Sequence, residues 1–122
     1  MESLRGNEDA GENFGKFRSE MAEQKFYTEL EKLNEHGKSV VQKAVEMLYY
    51  VVRREPFLEG NGRIGALLFV FYLTINDLHL MENGETKLSD RALTALVLLI
   101  KESEEKEKDL VVAVACKLIE GG

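Results

Sequence analysis

Apolar residues recur at threes and fours from residue 17 onward, and polar stretches divide the pattern into five helical segments. In the first, Phe17, Met21, Ala22, Phe26, Leu30 and Leu33 share a face, and Gly37 is a natural stop. Lys38 or Ser39 opens the second, where Val40, Val41, Ala44, Val45, Leu48, Val51 and Val52 form a stripe of nearly four turns. Pro56 ends it, because the residue before a proline is pushed out of the helical region. The third, about Arg63 to Ile75, is apolar on all sides and so predicts a helix at the centre of a core. Asn76-Asp77 begins a polar connection in which Asn83-Gly84 is a turn pair that leaves room for a small hairpin. Ser89 then caps a helix over Asp90–Lys101, apolar through Leu93, Leu96, Val97 and Ile100. Ser103 is read as the cap of the last helix, whose inner face is Leu110, Val111, Val114, Leu118 and Ile119 and whose end is Gly121.

The fold class that follows is all-α: a helical bundle around a central apolar helix at about 63–75. With 122 residues the chain is one domain, large enough to bury about two-thirds of its unfolded surface. Residues 1–16 are polar and glycine-bearing and are read as a poorly ordered lead, and 17–122 as the helical domain. The abrupt polar start is compatible with a further domain upstream.

Charge and composition remove several function classes. A net charge of −6 argues against nucleic acid, since basic residues do not cluster beyond Arg53-Arg54. One cysteine and two scattered histidines give no disulfide and no paired-cysteine zinc framework. The longest apolar run, about 12 residues from Ile64, is too short to span a bilayer, and the polar start is no signal peptide. A reducing cytoplasm suits this composition.

The candidate chemistry lies between the second and third helices, in Arg54-Glu55-Pro56-Phe57-Leu58-Glu59-Gly60-Asn61-Gly62-Arg63. Gly60 and Gly62 permit backbone conformations closed to other residues. Free amides at the start of the following helix, with its dipole, favour an anion such as phosphate. Arg63 in the first turn offers a planar fork of donors, and a cation there is unfavourable unless an anion neutralises it. Glu59 is either a loop-surface charge or a ligand for a hard cation such as magnesium. Phe57 is read as a core anchor for the loop, and Asn61 as a turn former or a side chain tying the loop shut.

These residues resemble the signature loop of the Fic/Doc family, H-P-F-x-[D/E]-G-N-[G/K]-R. Pro56, Phe57, Glu59, Gly60, Asn61, Gly62 and Arg63 match, while Glu55 stands where the family has histidine. Ala66 stands where the longer Fic form adds an arginine, and Ile64-Gly65-Ala66 is similar to the Doc-like branch. Residues from about 38 to 120 also look like the Doc-like C-terminal domain of RhuM-type bacterial virulence proteins, which points to a bacterial cytoplasm.

The resemblance implies a fold and an activity. In the family, the acidic position, here Glu59, holds the Mg2+ that bridges the nucleotide phosphates. The arginine and loop amides, here Arg63 and the cradle of Gly60, Asn61 and Gly62, hold the phosphates of ATP. The histidine takes a proton from a hydroxyl on a protein target, which then attacks the α-phosphate to give an AMP-modified protein; Doc transfers the terminal phosphoryl group instead. An ordinary glutamate is about two pKa units more acidic than an ordinary histidine, and its charge repels a triphosphate. Glu55 therefore has three readings: a natural pseudoenzyme, an enzyme with a carboxylate base, or an introduced change. The other function class is a non-catalytic helical module that binds a protein partner.

An inhibitor or antitoxin partner would also fit the family. The nearest matches to its S/T-x-x-x-E-[G/N] inhibitory pattern, Ser19 to Glu23 and Ser103 to Glu107, fail at Gln24 and Lys108, so no inhibitory segment is assigned. The β-hairpin flap that the family places ahead of the loop finds too little room in the polar stretch before Ser39.

Overall fold

The computed structural model describes residues 12–76, 81–82, 85–86 and 89–120. Five helices follow one another: α1 Glu20–Glu31, α2 Val40–Arg54, α3 Asn61–Ile75, α4 Asp90–Glu102 and α5 Lys108–Glu120. Short 3-10 turns at Lys32–Asn34 and Glu105–Glu107 continue α1 and lead into α5. Between α3 and α4, β1 (Met81–Glu82) pairs antiparallel with β2 (Glu85–Thr86) in the register Met81 to Thr86 and Glu82 to Glu85. This is the small hairpin for which the sequence leaves room; its turn pair, Asn83-Gly84, lies outside the described residues. So does most of the expected lead, residues 1–11, and so does Gly121. The all-α expectation holds.

Serine caps start the helices as their chemistry requires. Ser19, Ser39 and Ser89 accept hydrogen bonds from the amides of Ala22, Gln42 and Ala92 at 3.0, 3.0 and 3.1 Å. Ser103 does not play that part. Its amide closes the end of α4 on the Leu99 carbonyl, and its hydroxyl donates to the Ile100 carbonyl at 2.9 Å. The turn into α5 is set one residue later, where the Glu104 amide donates to the Glu107 carboxylate at 2.8 Å.

The centre of the bundle is α2, not the more apolar α3. Helix α2 packs against all four other helices, and eight of its residues are buried, from Val41 to Val52. Helix α3 buries Ile64, Gly65, Phe69 and Leu73 but leaves Phe71 and Ile75 about 60 % exposed. Uniform hydrophobicity marks a helix that could be buried all round; position in the chain decides which helix has neighbours on every side. Gly65 explains how closely α2 and α3 approach, since a Cβ there would meet Leu48 Cδ1 and Val51 Cγ1 at 3.2 Å.

Two apolar clusters result. The main one gathers Val45, Leu48 and Val52 of α2, Phe69 and Leu73 of α3, Leu96 and Ile100 of α4, and Val111, Val112, Ala115 and Ile119 of α5. The inner face of α5 is thus rotated from the expected one, with Leu110, Val114 and Leu118 outward. The helix begins at Lys108 after its 3-10 turn, and the small Ala115 sits fully buried in the cluster. The second cluster is aromatic, built from Phe14, Phe26 and Phe57 with Val51 and Ile64, and Phe17 packed on it. The expected domain start at residue 17 therefore falls inside packed structure, because Phe14 is only 5 % exposed.

Candidate functional site

The loop between α2 and α3 is fixed at both ends by backbone geometry. Glu55 closes α2: its amide donates to the Val51 carbonyl at 3.1 Å while its own φ of 47° lies in the left-handed region. Among the described residues it alone reaches positive φ without being glycine. The following Pro56 disfavours right-handed helical geometry at this position, and the left-handed alternative costs about 1–2 kcal/mol for a residue with a Cβ. Pro56 itself is fully buried, and so in effect is Phe57, stacked on Phe17 with ring centroids 4.8 Å apart and edge-on to Phe26 at 5.3 Å. This confirms Phe57 as the anchor of the loop.

Asn61 ties the loop shut. Its Oδ1 accepts from the Phe57 amide and its Nδ2 donates to the Phe57 carbonyl, both at 2.9 Å. Gly60, at φ 85°, is the N-cap of α3 and needs to be glycine twice over. A Cβ there would collide with the Phe14 ring, meeting Cδ2 at 2.5 Å. Gly62 needs no such freedom; it lies within helical α3, and a Cβ would make an ordinary 3.5 Å contact with Val97. Helix α3 begins at Asn61, two residues before the expected start, and Arg63 stands in its first turn as expected. Its N-cap is a glycine, which offers no side-chain cap to the first amides of the helix.

The carboxylate of Glu59 and the guanidinium of Arg63 are both exposed, and neither forms an ion pair among the described residues. Glu55 does. Arg18 donates from Nε to the Glu55 carbonyl at 2.7 Å and from a terminal nitrogen to its carboxylate at 3.5 Å, with both side chains about half exposed. The structure thus brings Glu55, Glu59, Gly60, Asn61, Gly62 and Arg63 into one loop and the first turn of the helix that follows.

It also brings in a segment that the sequence reading left outside the site. Residues 14–18 run beside the loop through a turn at Gly15, whose φ is 78°: the Leu58 amide donates to the Lys16 carbonyl at 2.7 Å, the Arg18 amide to the Pro56 carbonyl at 2.9 Å, and the Gly15 amide to the Glu59 carbonyl at 3.3 Å. Isolated bridges join Phe14 to Glu59 and Phe17 to Phe57. The Arg63 guanidinium lies over the Phe14 ring, 5.8 Å from its centroid. The chain beside the loop therefore comes from ahead of α1, not from the polar stretch before Ser39. The readable signal was the pair Phe14 and Phe17 around Gly15, two large aromatics in a segment otherwise polar.

A cleft of about 890 Å3 opens elsewhere, between the start of α2 and α5, lined among others by Lys38, Glu46, Lys108 and Lys117. None of the loop residues faces it.

The model of the Fic/Doc family matches residues 4–73, more than half of the chain. The chain belongs to the Fic/Doc family. The match takes in that segment, α1, α2, the loop and nearly all of α3; α4 and α5 lie beyond it. Comparison with curated proteins and with solved structures gives no significant match. Fic/Doc proteins act on nucleotides and protein targets, and the AMP-transferase type of fold is the family's. Among the described residues no helix is long and apolar enough to cross a membrane.

Proposed function

We propose that this Fic/Doc domain binds a magnesium nucleotide, ATP in the first instance, at residues 59–63 and is impaired as a protein AMP-transferase or phosphotransferase by Glu55. The observation that carries the binding half is the start of α3. Its glycine N-cap, the clasp of Asn61, and an Arg63 in the first turn with no ion pair among the described residues support a site whose partial charges call for an anion. Arg63 would grip the phosphates through its planar donors.

The donor set suits magnesium. That ion keeps several waters and binds through one or two carboxylates plus substrate phosphates rather than an all-protein cage. Glu59 supplies one exposed carboxylate, and among the described residues no group of three or more acidic, histidine or cysteine side chains gathers elsewhere. When bound, the metal would neutralise phosphate charge.

The chemical half rests on Glu55. At the family's histidine position it offers a carboxylate already engaged by Arg18, instead of an imidazole poised to take a hydroxyl proton. The Doc-like, RhuM-type branch is favoured by Ile64-Gly65-Ala66, with a bacterial virulence or toxin–antitoxin setting, a protein target and an inhibitor or antitoxin as partners. A non-catalytic interaction module is the second reading, and the same glutamate favours it.

Calorimetric titration of Mg-ATP into the protein, beside Arg63→Ala and Glu55→His, tests both halves. Binding by the parent protein, at least tenfold weaker in Arg63→Ala and tighter in Glu55→His, is expected. AMP or phosphoryl transfer to protein hydroxyls should then appear in Glu55→His. No heat in any of the three would end the nucleotide reading.

A further inference from the structure

We propose that Phe14 is a positioning residue for the phosphate site, holding the guanidinium of Arg63 over its ring and so near the anion. The inference rests on the nucleotide reading and goes beyond the loop to a residue ahead of α1.

Phe14 is held in place independently of Arg63. The bonds of Gly15, Lys16 and Arg18 to the loop carbonyls and amides fix the backbone beside it, and the ring fills the space that the missing Cβ of Gly60 leaves. At 5 % exposure it is among the more buried residues of the loop end of the molecule, whereas Arg63 is exposed. The ring is the fixed partner and the guanidinium the adjustable one. An arginine in water at a helix start would sample many rotamers and be repelled by the local dipole. Over the ring, at 5.8 Å from the centroid, it meets the negative face of the aromatic quadrupole. Attraction to the ring uses no carbonyl or carboxylate acceptor, so the N–H donors stay available for phosphate oxygens.

One further feature supports the arrangement. Gly60 sets both the turn into α3 and the seat of the ring, so the backbone of the loop, the aromatic and the arginine are fixed by one residue.

The test uses the full chain, with Mg-ATP and inorganic pyrophosphate as probes. Phe14→Leu keeps an apolar side chain and removes the ring, and Phe14→Met serves if the leucine variant is poorly folded by circular dichroism. An exposed cation–π contact corresponds to a weakening of about threefold in affinity. The Arg63 Nε–H proton signal should also lose its ring-current shift. In an Arg63→Gln background, where no cation can sit over the ring, Phe14→Leu should give little further weakening. A merely structural role would weaken binding equally in both backgrounds, and that result, or unchanged affinity in Phe14→Leu, overturns the proposal while leaving the phosphate site standing. A parent protein that binds neither probe overturns the nucleotide reading itself and this inference with it.

Discussion

The two apolar clusters were built by different means. The main cluster is aliphatic apart from Phe69 and Tyr49, joins α2, α3, α4 and α5, and consists of residues whose helical spacing puts them on one face. The cluster under the loop is aromatic and draws on the segment ahead of α1, the middle of α1, the loop, and the ends of α2 and α3 that flank it. One is held by regular packing along whole helices. The other is held by a few rings and by backbone bonds between two non-helical segments. Stability is thus concentrated in the first and the candidate chemistry in the second, as expected where a loop is positioned by a rigid scaffold.

Truncating a phenylalanine in each cluster should break this comparison open, and it carries the largest expected effect. Phe69 is fully buried between helices, and Phe69→Ala should cost about 3–5 kcal/mol in global stability by urea unfolding. Phe57→Ala should act locally. Amide exchange should quicken at residues 14–18 and 56–60 while amides of α2 and α5 keep their protection. Equal loss of protection in both places would show that the clusters unfold as one.

Much of this was legible in the sequence, and the exceptions have physical causes. The five helices, the starts at Ser39 and Ser89, and the loop with Phe57 and Asn61 follow from periodicity and local chemistry, whereas the cap Ser19 was not read. The choice of α2 as centre does not, because α3 has the higher hydrophobicity and only the packing shows that Phe71 and Ile75 face outward. The α5 face was missed because Leu110, Val114 and Leu118 make a row as apolar as that of Val111, Ala115 and Ile119, and only the packing shows which faces the core. Phe14 and Arg18 escaped because they act by pairing non-helical chain with a loop about forty residues away, and such pairing leaves no period to read. Arg53 is a similar case: it donates to the Lys101 and Ser103 carbonyls at 3.1 and 2.6 Å, closing the end of α4 from α2.

The two motif glycines sharpen the same contrast on a smaller scale. Gly60 belongs to the loop cluster, with φ 85° and a ring against it. Gly60→Ala should cost about 2–3 kcal/mol, from left-handed strain and the collision with Phe14. Adding Phe14→Ala should relieve the collision and leave the strain, so the two changes together should cost less than their sum. Gly62 belongs to the helix, and Gly62→Ala should be neutral or stabilising by about 0.5–1 kcal/mol. A destabilising Gly62→Ala would mean that the first turn of α3 is tighter than it stands.

The smallest expected effect lies at the far end of α2 and concerns pH. Burial pushes the Glu46 carboxyl upward, but hydrogen bonds from Lys38 Nζ at 2.9 Å and Gln42 Nε2 at 3.0 Å, with the charges of Lys38 and Lys108, bring it net below its ordinary value of 4.5. A folded pKa below the unfolded one means that the ionised form is favoured by folding. The contribution is therefore present above the unfolded value and is lost as pH falls through the folded one. Glu46→Gln should be slightly less stable than the parent protein at pH 7, and the difference should close as the pH falls through the lowered pKa of Glu46. Because the Lys38 end is solvent-exposed, the same difference should shrink in salt. The loop end offers the control. The Arg18–Glu55 contact is longer, at 3.5 Å, and half exposed on both sides, so Glu55→Gln should change stability at pH 7 by less than Glu46→Gln does. If Glu55→Gln cost more than Glu46→Gln, the electrostatic weight would lie at the loop, and Glu55 would be a structural anion fixed by Arg18 as much as a replaced base.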